Sequence, residues 1–167
     1  TGEENWVGYF FRAANDIAAR SAKANTALAR YGRSVTATAA AASRYGWETA
    51  GPADKYARWN TSVTGVSTDG SDDYRHEVNG QGYMTEIDPY NPASVVKKRT
   101  SLGRMAHESA AFGKPVAGKP LAVYMGDDSR GEYIYKFVSA QNWTAADATA
   151  SNRVATGDKY LDAGKLY

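Results

Sequence analysis

Acidic side chains and one arginine occupy places in this sequence where a phosphate-binding metal site could be built. The candidates are Glu3, Glu4, Glu108 (after His107), Asp127, Asp128, Arg130 and Glu132. Carboxylates at the ends of neighbouring strands can converge on one hard cation, because each strand brings one or two oxygens to the same rim. Arg130 beside them could bind a phosphate oxygen bidentately. Such a set of residues could support metal-assisted hydrolysis of a phosphoester, with metal-bound water as the nucleophile.

Each of these positions also has a simpler structural interpretation. The two N-terminal glutamates can be solvated, and His107 can hydrogen-bond to the backbone or orient Glu108. The two adjacent aspartates suit a turn. Arg130 and Glu132 suit an exposed ion pair of little energetic value. Spacing alone favours the structural interpretation at every position.

The composition is that of an ordinary globular protein without a strong charge bias. The chain has 167 residues, 20 of them Lys or Arg and 18 Asp or Glu, for a net charge of +2. This balance gives no reason to expect nucleic acid or a membrane surface as a partner. Cysteine is absent, which excludes disulfides and thiolate metal sites. The sequence contains neither a legible Ser–His–Asp arrangement nor a P-loop.

The second half of the sequence has the pattern of short β-strands. Residues 83–88 alternate between apolar and polar, 121–125 are mostly apolar, and 133–138 are rich in aromatic and β-branched types. Turn residues separate them, so we predict a mainly β fold of the sandwich, barrel or propeller class. Arg130 and Glu132 are expected to begin the last of these strands and to project from one face of it.

The first half is different in character. Residues 10–45 are rich in Ala and predict a helical insertion, with Ile17 and Leu28 on one side of a helix that Gly32 would end. A second, weaker helix is predicted over 34–44. Turn residues dominate 51–82, where the run Ser67–Asp73 has the oxygens for calcium but is more typical of a solvated loop.

Four blocks of the sequence, in matching order, resemble the PhoX-type alkaline phosphatase family. The blocks are Thr1–Phe10, Glu86–Ser94, Lys98–Ala111 and Val123–Val138, the last containing Gly-Asp-Asp-Ser-Arg-Gly-Glu-Tyr. The resemblance implies a β-propeller whose central funnel holds calcium and iron and hydrolyses phosphomonoesters. It also implies export by the twin-arginine route, to the periplasm or outside the cell.

The resemblance further implies a role for each candidate residue. It assigns metal ligation to six carboxylates: Glu3, Glu4, Glu108, Asp127, Asp128 and Glu132. Arg130 matches a phosphate-contacting arginine and is assigned to catalysis, while Asn5 is expected to bind substrate. The expected partner is a small phosphorylated substrate, with no nucleic acid and no membrane.

Two features depart from the family pattern. Gly2 stands where a cysteine commonly precedes the two glutamates and gives iron its thiolate. A propeller blade takes about 40–50 residues, so residues 1–167 are expected to be one fragment of a larger propeller domain, with 10–45 inserted in it. Such a fragment is expected to be inactive in isolation and to self-associate through open blade edges. The alternative is a non-catalytic propeller segment that serves binding or scaffolding; a calcium-dependent lactonase-like propeller rests on architecture alone.

Overall fold

The architecture was obtained as a computed structural model that describes residues 1–16, 20–31 and 38–167. The described residues are mainly β, with two antiparallel sheets and few helices. The chain divides into two compact units, one formed by Thr1–Glu4 with Gly82–Tyr167 and the other by Asn5–Gln81. The helices are α1 (Ala22–Arg30) and α2 (Asp54–Ala57) in the second of these units and α3 (Arg153–Leu161) in the first.

The first unit is built around a four-stranded antiparallel sheet. Its strands are β3 (His107–Phe112), β4 (Pro120–Asp127), β5 (Ile134–Asn142) and β6 (Gly164–Leu166), paired in that order. A shorter pair, β1 (Thr85–Glu86) and β2 (Lys97–Lys98), forms the second sheet. Side chains alternate along β4, so one face is buried in the core. That core contains Leu102, Leu121, Val123, Met125, Phe137, Tyr160 and Leu161.

The predicted strands are confirmed at their centres and differ at their ends. β4 contains the whole predicted run 121–125, and the Asp-Asp-Ser-Arg-Gly link joins it to β5 as an antiparallel hairpin. The expectation that Arg130 and Glu132 begin the last strand is wrong, because β5 starts only at Ile134. Gly131 between them has a φ of +81°, which interrupts the extended backbone.

A buried arginine connects the β1–β2 pair to α3. The guanidinium of Arg99 contacts the carboxylates of Glu86 at 2.6 Å and of Asp158 and Asp162 at 2.7 Å each. Three carboxylates around one cation raise the pKa of Arg99 against the opposing effect of burial. Gly157 on α3 packs so closely that a Cβ there would lie 2.3 Å from both the Arg99 and the Glu86 side chain.

The second unit has its own core and its own buried charges. Trp6, Phe10, Leu28 and Val78 are buried together. Arg12 is fully buried; its guanidinium pairs with Asp16 and donates to the carbonyl of Ala39 at 2.7 Å. Arg20 lies 2.9 Å from the other oxygen of the Asp16 carboxylate. Burial lowers the pKa of Arg20, partly offset by the attraction of Asp16.

A helix is observed within the segment 10–45, over a shorter range than predicted. α1 begins at Ala22, where the hydroxyl of Ser21 accepts from the amide of Ala24 at 3.1 Å. It does not extend back to Ala14, since a turn follows and Asn15 has a φ of +64°. Residues 17–19 and 32–37 of the predicted helices, including Ile17 and Gly32, lie outside the described residues.

The second predicted helix, over 34–44, is wrong in its described part, 38–44. Those residues are not helical. Ala41 instead forms a two-way backbone pair with Arg12, with both N–O distances at 2.9 Å. The high helix propensity of Ala is overridden here by tertiary contacts to a buried arginine.

The loop that follows α2 is organised by its aspartates. The carboxylate of Asp73 accepts from the amides of Thr64 and Gly65 at 2.9 Å each and from Arg75 at 2.8 Å. Asp72 accepts from the amides of Val66 at 2.7 Å and Ser67 at 3.0 Å. These carboxylates therefore hold the loop itself together, as the structural interpretation of Ser67–Asp73 expects.

We predict that Gly157→Ala destabilises the protein, although Ala normally stabilises a helix by about 1 kcal/mol relative to Gly. The new Cβ would push the half-buried Glu86 carboxylate away from the buried Arg99 guanidinium. We expect urea unfolding to show a loss of about 1–3 kcal/mol in the free energy of unfolding. Gly126→Ala is the control, since nothing lies within 4 Å of a Cβ there; an unchanged or raised stability for Gly157→Ala would contradict the packing argument.

We also predict a pH-dependent effect of Asp73→Asn. Hydrogen bonds from Arg75 hold the pKa of Asp73 well below its usual value of 3.8. Its stabilising effect is therefore present above pH 3.8 and is lost as the pH falls through the lower folded-state pKa. The variant should melt about 5 °C lower at pH 7, and the gap should close below pH 3.8. Asp69→Asn in the same loop, which keeps its acceptor for the amide of Ser71, should show a smaller gap.

Candidate functional site

The predicted site residues of the first unit gather at one end of the four-stranded sheet. His107 at the start of β3 is the register partner of Asp127 at the end of β4. The amide of Asp127 donates to the carbonyl of Tyr133 at 3.2 Å, and that of Asp128 donates to Ala106 at 3.0 Å. Two of the four sequence blocks, Lys98–Ala111 and Val123–Val138, thus contribute to this sheet end.

The N-terminal block comes to the same place through backbone pairing. Gly2 forms a bridge with Met84, and the carbonyl of Glu3 accepts from the amide of His107 at 3.1 Å. The Glu3 carboxylate accepts from the amides of Gly82 at 2.8 Å and Tyr83 at 3.0 Å. Its other oxygen pairs with the Lys98 ammonium at 2.7 Å. Glu3 is therefore placed beside the sheet end, but its carboxylate is occupied.

A β-bulge sets the position of Glu108. The β3–β4 register shifts between His107 and Ser109, so Glu108 has no direct partner on β4. The side chain of Glu108 is exposed at this irregular point. The bulge leaves a carboxylate next to the buried His107 and facing solvent.

The β4–β5 turn presents the remaining predicted residues. Asp127 is nearly buried, and its Oδ1 accepts from the amides of Ser129 at 3.0 Å and Ala106 at 3.3 Å. Asp128 and Arg130 are exposed, while Glu132 is half-buried and accepts from the Tyr135 hydroxyl at 3.3 Å. Asp127 therefore has the turn role that its sequence position also allowed, whereas the other three face outward or sit at the edge.

His107 is fully buried at the centre of this arrangement. One ring nitrogen, Nε2, lies 3.1 Å from the carbonyl of Gly103, and the other, Nδ1, has no hydrogen-bond partner. Burial lowers the pKa of His107, and the nearby charges of Asp127 and Glu3 oppose that effect. The backbone role proposed for His107 as the simpler interpretation is the one observed.

The six predicted carboxylates have the donor atoms that a hard cation prefers, but too few of them lie close together. All six are oxygen donors, as calcium prefers. Within the described ranges, however, no three His, Asp or Glu side chains are grouped closely enough to hold a metal ion. Glu3 and Asp127 already accept backbone amides. The described residues therefore contain no grouped set of ligands for a metal ion.

An iron site with a thiolate ligand does not fit. A Cβ at Gly2 would lie 2.3 Å from the carbonyl oxygen of His107 and 3.1 Å from its Cβ. The obstacle is backbone and not a flexible side chain, so any larger residue requires the two segments to separate. Position 2 thus lacks both the sulfur and the space for it.

Two side chains that the sequence analysis did not single out contact the predicted site residues. Lys98 neutralises Glu3, and the Tyr135 hydroxyl orients Glu132. Tyr135 could have been found from its place in the Glu-Tyr-Ile-Tyr run, whereas nothing local in the sequence connects Lys98 to Glu3. Asn5 belongs to the other unit, where it precedes the 3₁₀ turn Trp6–Tyr9.

Comparison with known proteins identifies the class. The whole chain, residues 1–167, matches the family described as "Alkaline phosphatase PhoX". The chain therefore belongs to the PhoX alkaline phosphatase family.

The chain is also similar to a solved structure from Pseudomonas fluorescens, described as PhoX in complex with vanadate, a transition state analogue. The identity is 31% and the TM-score 0.67; the match covers 100% of this chain and 23% of that one. The present chain thus spans about a quarter of the length of that protein. A search of curated proteins gave no match.

We predict that Asp127 supports the turn through Oδ1 and that Asn can replace it structurally. Asp127→Ala should cost about 1–2 kcal/mol of unfolding free energy, because two amides lose their acceptor. Asp127→Asn should stay within about 0.5 kcal/mol of the parent. Chemical denaturation measures both, with Asp128→Ala as the control, since Asp128 is exposed. Equal losses for Ala and Asn would show that the charge itself is required.

Proposed function

We propose that the full-length protein hydrolyses phosphomonoesters with the help of bound metal ions, and that this chain supplies one wall of the site. The observation that supports the proposal is the convergence of separate sequence blocks at one sheet end. His107 contacts Glu3, Asp128 contacts Ala106, and Asp127 contacts Tyr133, all through backbone hydrogen bonds. Membership of the PhoX family gives this arrangement its chemical interpretation.

In this proposal Arg130 binds the phosphate group. Its side chain is exposed at the tip of the β4–β5 turn, where a guanidinium can donate two hydrogen bonds to phosphate oxygens. Gly131 turns the chain directly after it, and the amide of Glu132 donates to the carbonyl of Ser129 at 3.0 Å. This closed turn limits the positions available to Arg130 and so reduces the entropy lost on binding.

The outward carboxylates Glu108, Asp128 and Glu132 are proposed as ligands for a hard cation, with Glu4 added from the N-terminal block. Calcium is the proposed metal because all donors are oxygens. When bound, such a cation would neutralise charge on the phosphate oxygens. Asn5 is retained as a proposed substrate contact. The missing ligands would come from outside this chain, so the chain alone is expected to be inactive.

We also propose that the protein is a β-propeller. Strands β3 to β6 form a sequential antiparallel meander, the form of one propeller blade, and residues 1–167 would be part of one larger propeller domain that carries 10–45 as an insertion. The edge strands β3 and β6 would then pair with further blades or with another copy. No helix among the described residues is long and apolar enough to cross a membrane. We propose export to the periplasm or beyond, following the family resemblance.

A non-catalytic segment for binding or scaffolding is the second candidate. It is favoured by Gly2 and by the carboxylates of Glu3 and Asp127, which are already engaged by backbone amides. Elemental analysis of the full-length protein separates the two candidates. Bound calcium or iron supports the enzyme, and a protein that carries neither supports the scaffold.

We predict distinct effects of two substitutions in the full-length protein, assayed with a chromogenic phosphomonoester. Arg130→Ala should lower kcat/KM about 10- to 100-fold without changing metal content, since a charge-assisted contact to phosphate is lost. Glu132→Gln should lower both the metal content and the rate. Lys119→Ala, an exposed position in the β3–β4 connection, is the control. Full activity and full metal content in both variants would contradict the assignment of Arg130 and Glu132 to the site.

A further inference from the structure

We propose that the first unit contains a second binding site, an apolar cavity that accepts a small organic anion with a flat apolar body. The cavity has a volume of about 490 Å³ and is lined only by residues of the first unit. Volumes of this size, with mainly apolar walls and few polar groups, are typical of small-molecule sites. This site is independent of the proposed phosphatase function.

The walls of the cavity come from the sheet, from α3 and from the segment after β5. Leu121 and Val123 of β4 line one side, and Trp143 and Tyr160 line another. The Trp143 and Tyr160 rings lie 5.0 Å apart and tilted, which gives the cavity an aromatic wall. Phe112 stands at the rim with 58% of its surface exposed. An apolar ligand could therefore cover surface that is now in water.

The cavity is separate from the candidate phosphatase site. Val123 and Asp127 lie on the same buried face of β4. They are four residues apart, which corresponds to about 13 Å along a strand. Met125 lies between them in the core.

The cavity lining contains a cation, Arg153, that is only loosely paired. Glu86 and Arg99 both line it, but they are paired with each other at 2.6 Å, and Arg99 is further held by Asp158 and Asp162. Arg153 also lines it, with 56% of its side chain exposed and a looser contact of 3.6 Å to Asp88. The Arg153 guanidinium is thus less tightly paired than that of Arg99 and can still bind a ligand.

The position of Arg153 is already restricted before any ligand arrives. Its guanidinium lies 4.8 Å above the ring of Tyr90, and it begins α3 directly after the capping residue Asn152. A cation in the lining of an apolar cavity matches a ligand with a flat ring system at one end and a carboxylate, sulfonate or phosphate at the other.

Fluorescence titration with anilinonaphthalene sulfonate tests the proposal on the purified chain. The neutral N-phenyl-naphthylamine serves as the matched probe, since it has the same apolar body without the sulfonate. We expect saturable one-to-one binding of the sulfonate. Arg153→Gln should raise the dissociation constant of the sulfonate about five- to tenfold. The dissociation constant of the neutral probe should stay within about twofold of its value for the parent protein.

Two further variants test the location. Phe112→Ala should weaken the binding of both probes about fivefold, because it removes apolar surface at the rim of the cavity. Tyr124→Ala should change neither, since Tyr124 is exposed and does not line the cavity. Near-ultraviolet circular dichroism and melting curves must match the parent for each variant. If Phe112→Ala does not fold, Arg153→Gln alone decides the question.

Three results would overturn the proposal. The first is the lack of saturable sulfonate binding, and the second is an equal effect of Arg153→Gln on both probes. The third is binding that disappears as the chain self-associates in sedimentation experiments or when the full-length protein is used. That result would show that protein, and not a small anion, fills the cavity.

Discussion

The buried backbone of His107 is the junction on which the candidate site depends. Its amide binds the carbonyl of Glu3, its register partner is Asp127, and its ring lies against the carbonyl of Gly103. Three segments that are far apart in sequence are therefore fixed relative to one another by one residue. Because the imidazole is buried with one nitrogen unpartnered, a protonated ring would be costly, and the junction is built around the neutral form.

Both units compensate buried charge with several partners at once. Arg99 contacts three carboxylates, and Asp73 combines one guanidinium with two backbone amides. Burying a single charge without such partners would cost several kcal/mol. Networks of this kind specify one arrangement of the chain more strongly than apolar contacts do, because few alternative arrangements satisfy every member. In the first unit, the network fixes α3 against β1 and β2, where it also forms part of the cavity wall.

The sequence predicted secondary structure correctly where the signal is local. The prediction was wrong where contacts between distant residues determine the backbone conformation. The alternation over 121–125 and the β4–β5 hairpin could be predicted, since strand periodicity and turn residues are local signals. The non-helical 38–44 could not, because Ala41 pairs with Arg12 across the unit. The late start of β5 depends on the backbone of Gly131, which composition does not reveal.

The same limit applies to the candidate site. The backbone contacts of Glu3, His107 and Asp127 bring separate sequence blocks to one end of the sheet. The sequence could not show that two of the carboxylates, Glu3 and Asp127, would be occupied by amides of Gly82 and Ser129. Occupancy depends on the exact course of two loops. Residue identity alone therefore overestimates the number of free ligands.

The close approach of Gly2 to the His107 carbonyl has a consequence for how this lineage can change. With only 2.3 Å available for a Cβ, a cysteine codon at position 2 would be harmful before it could be useful. The N-terminal segment would first have to move away from β3, and that step brings no benefit by itself. A sulfur ligand at position 2 would therefore require at least two coordinated changes, the first of which brings no benefit by itself.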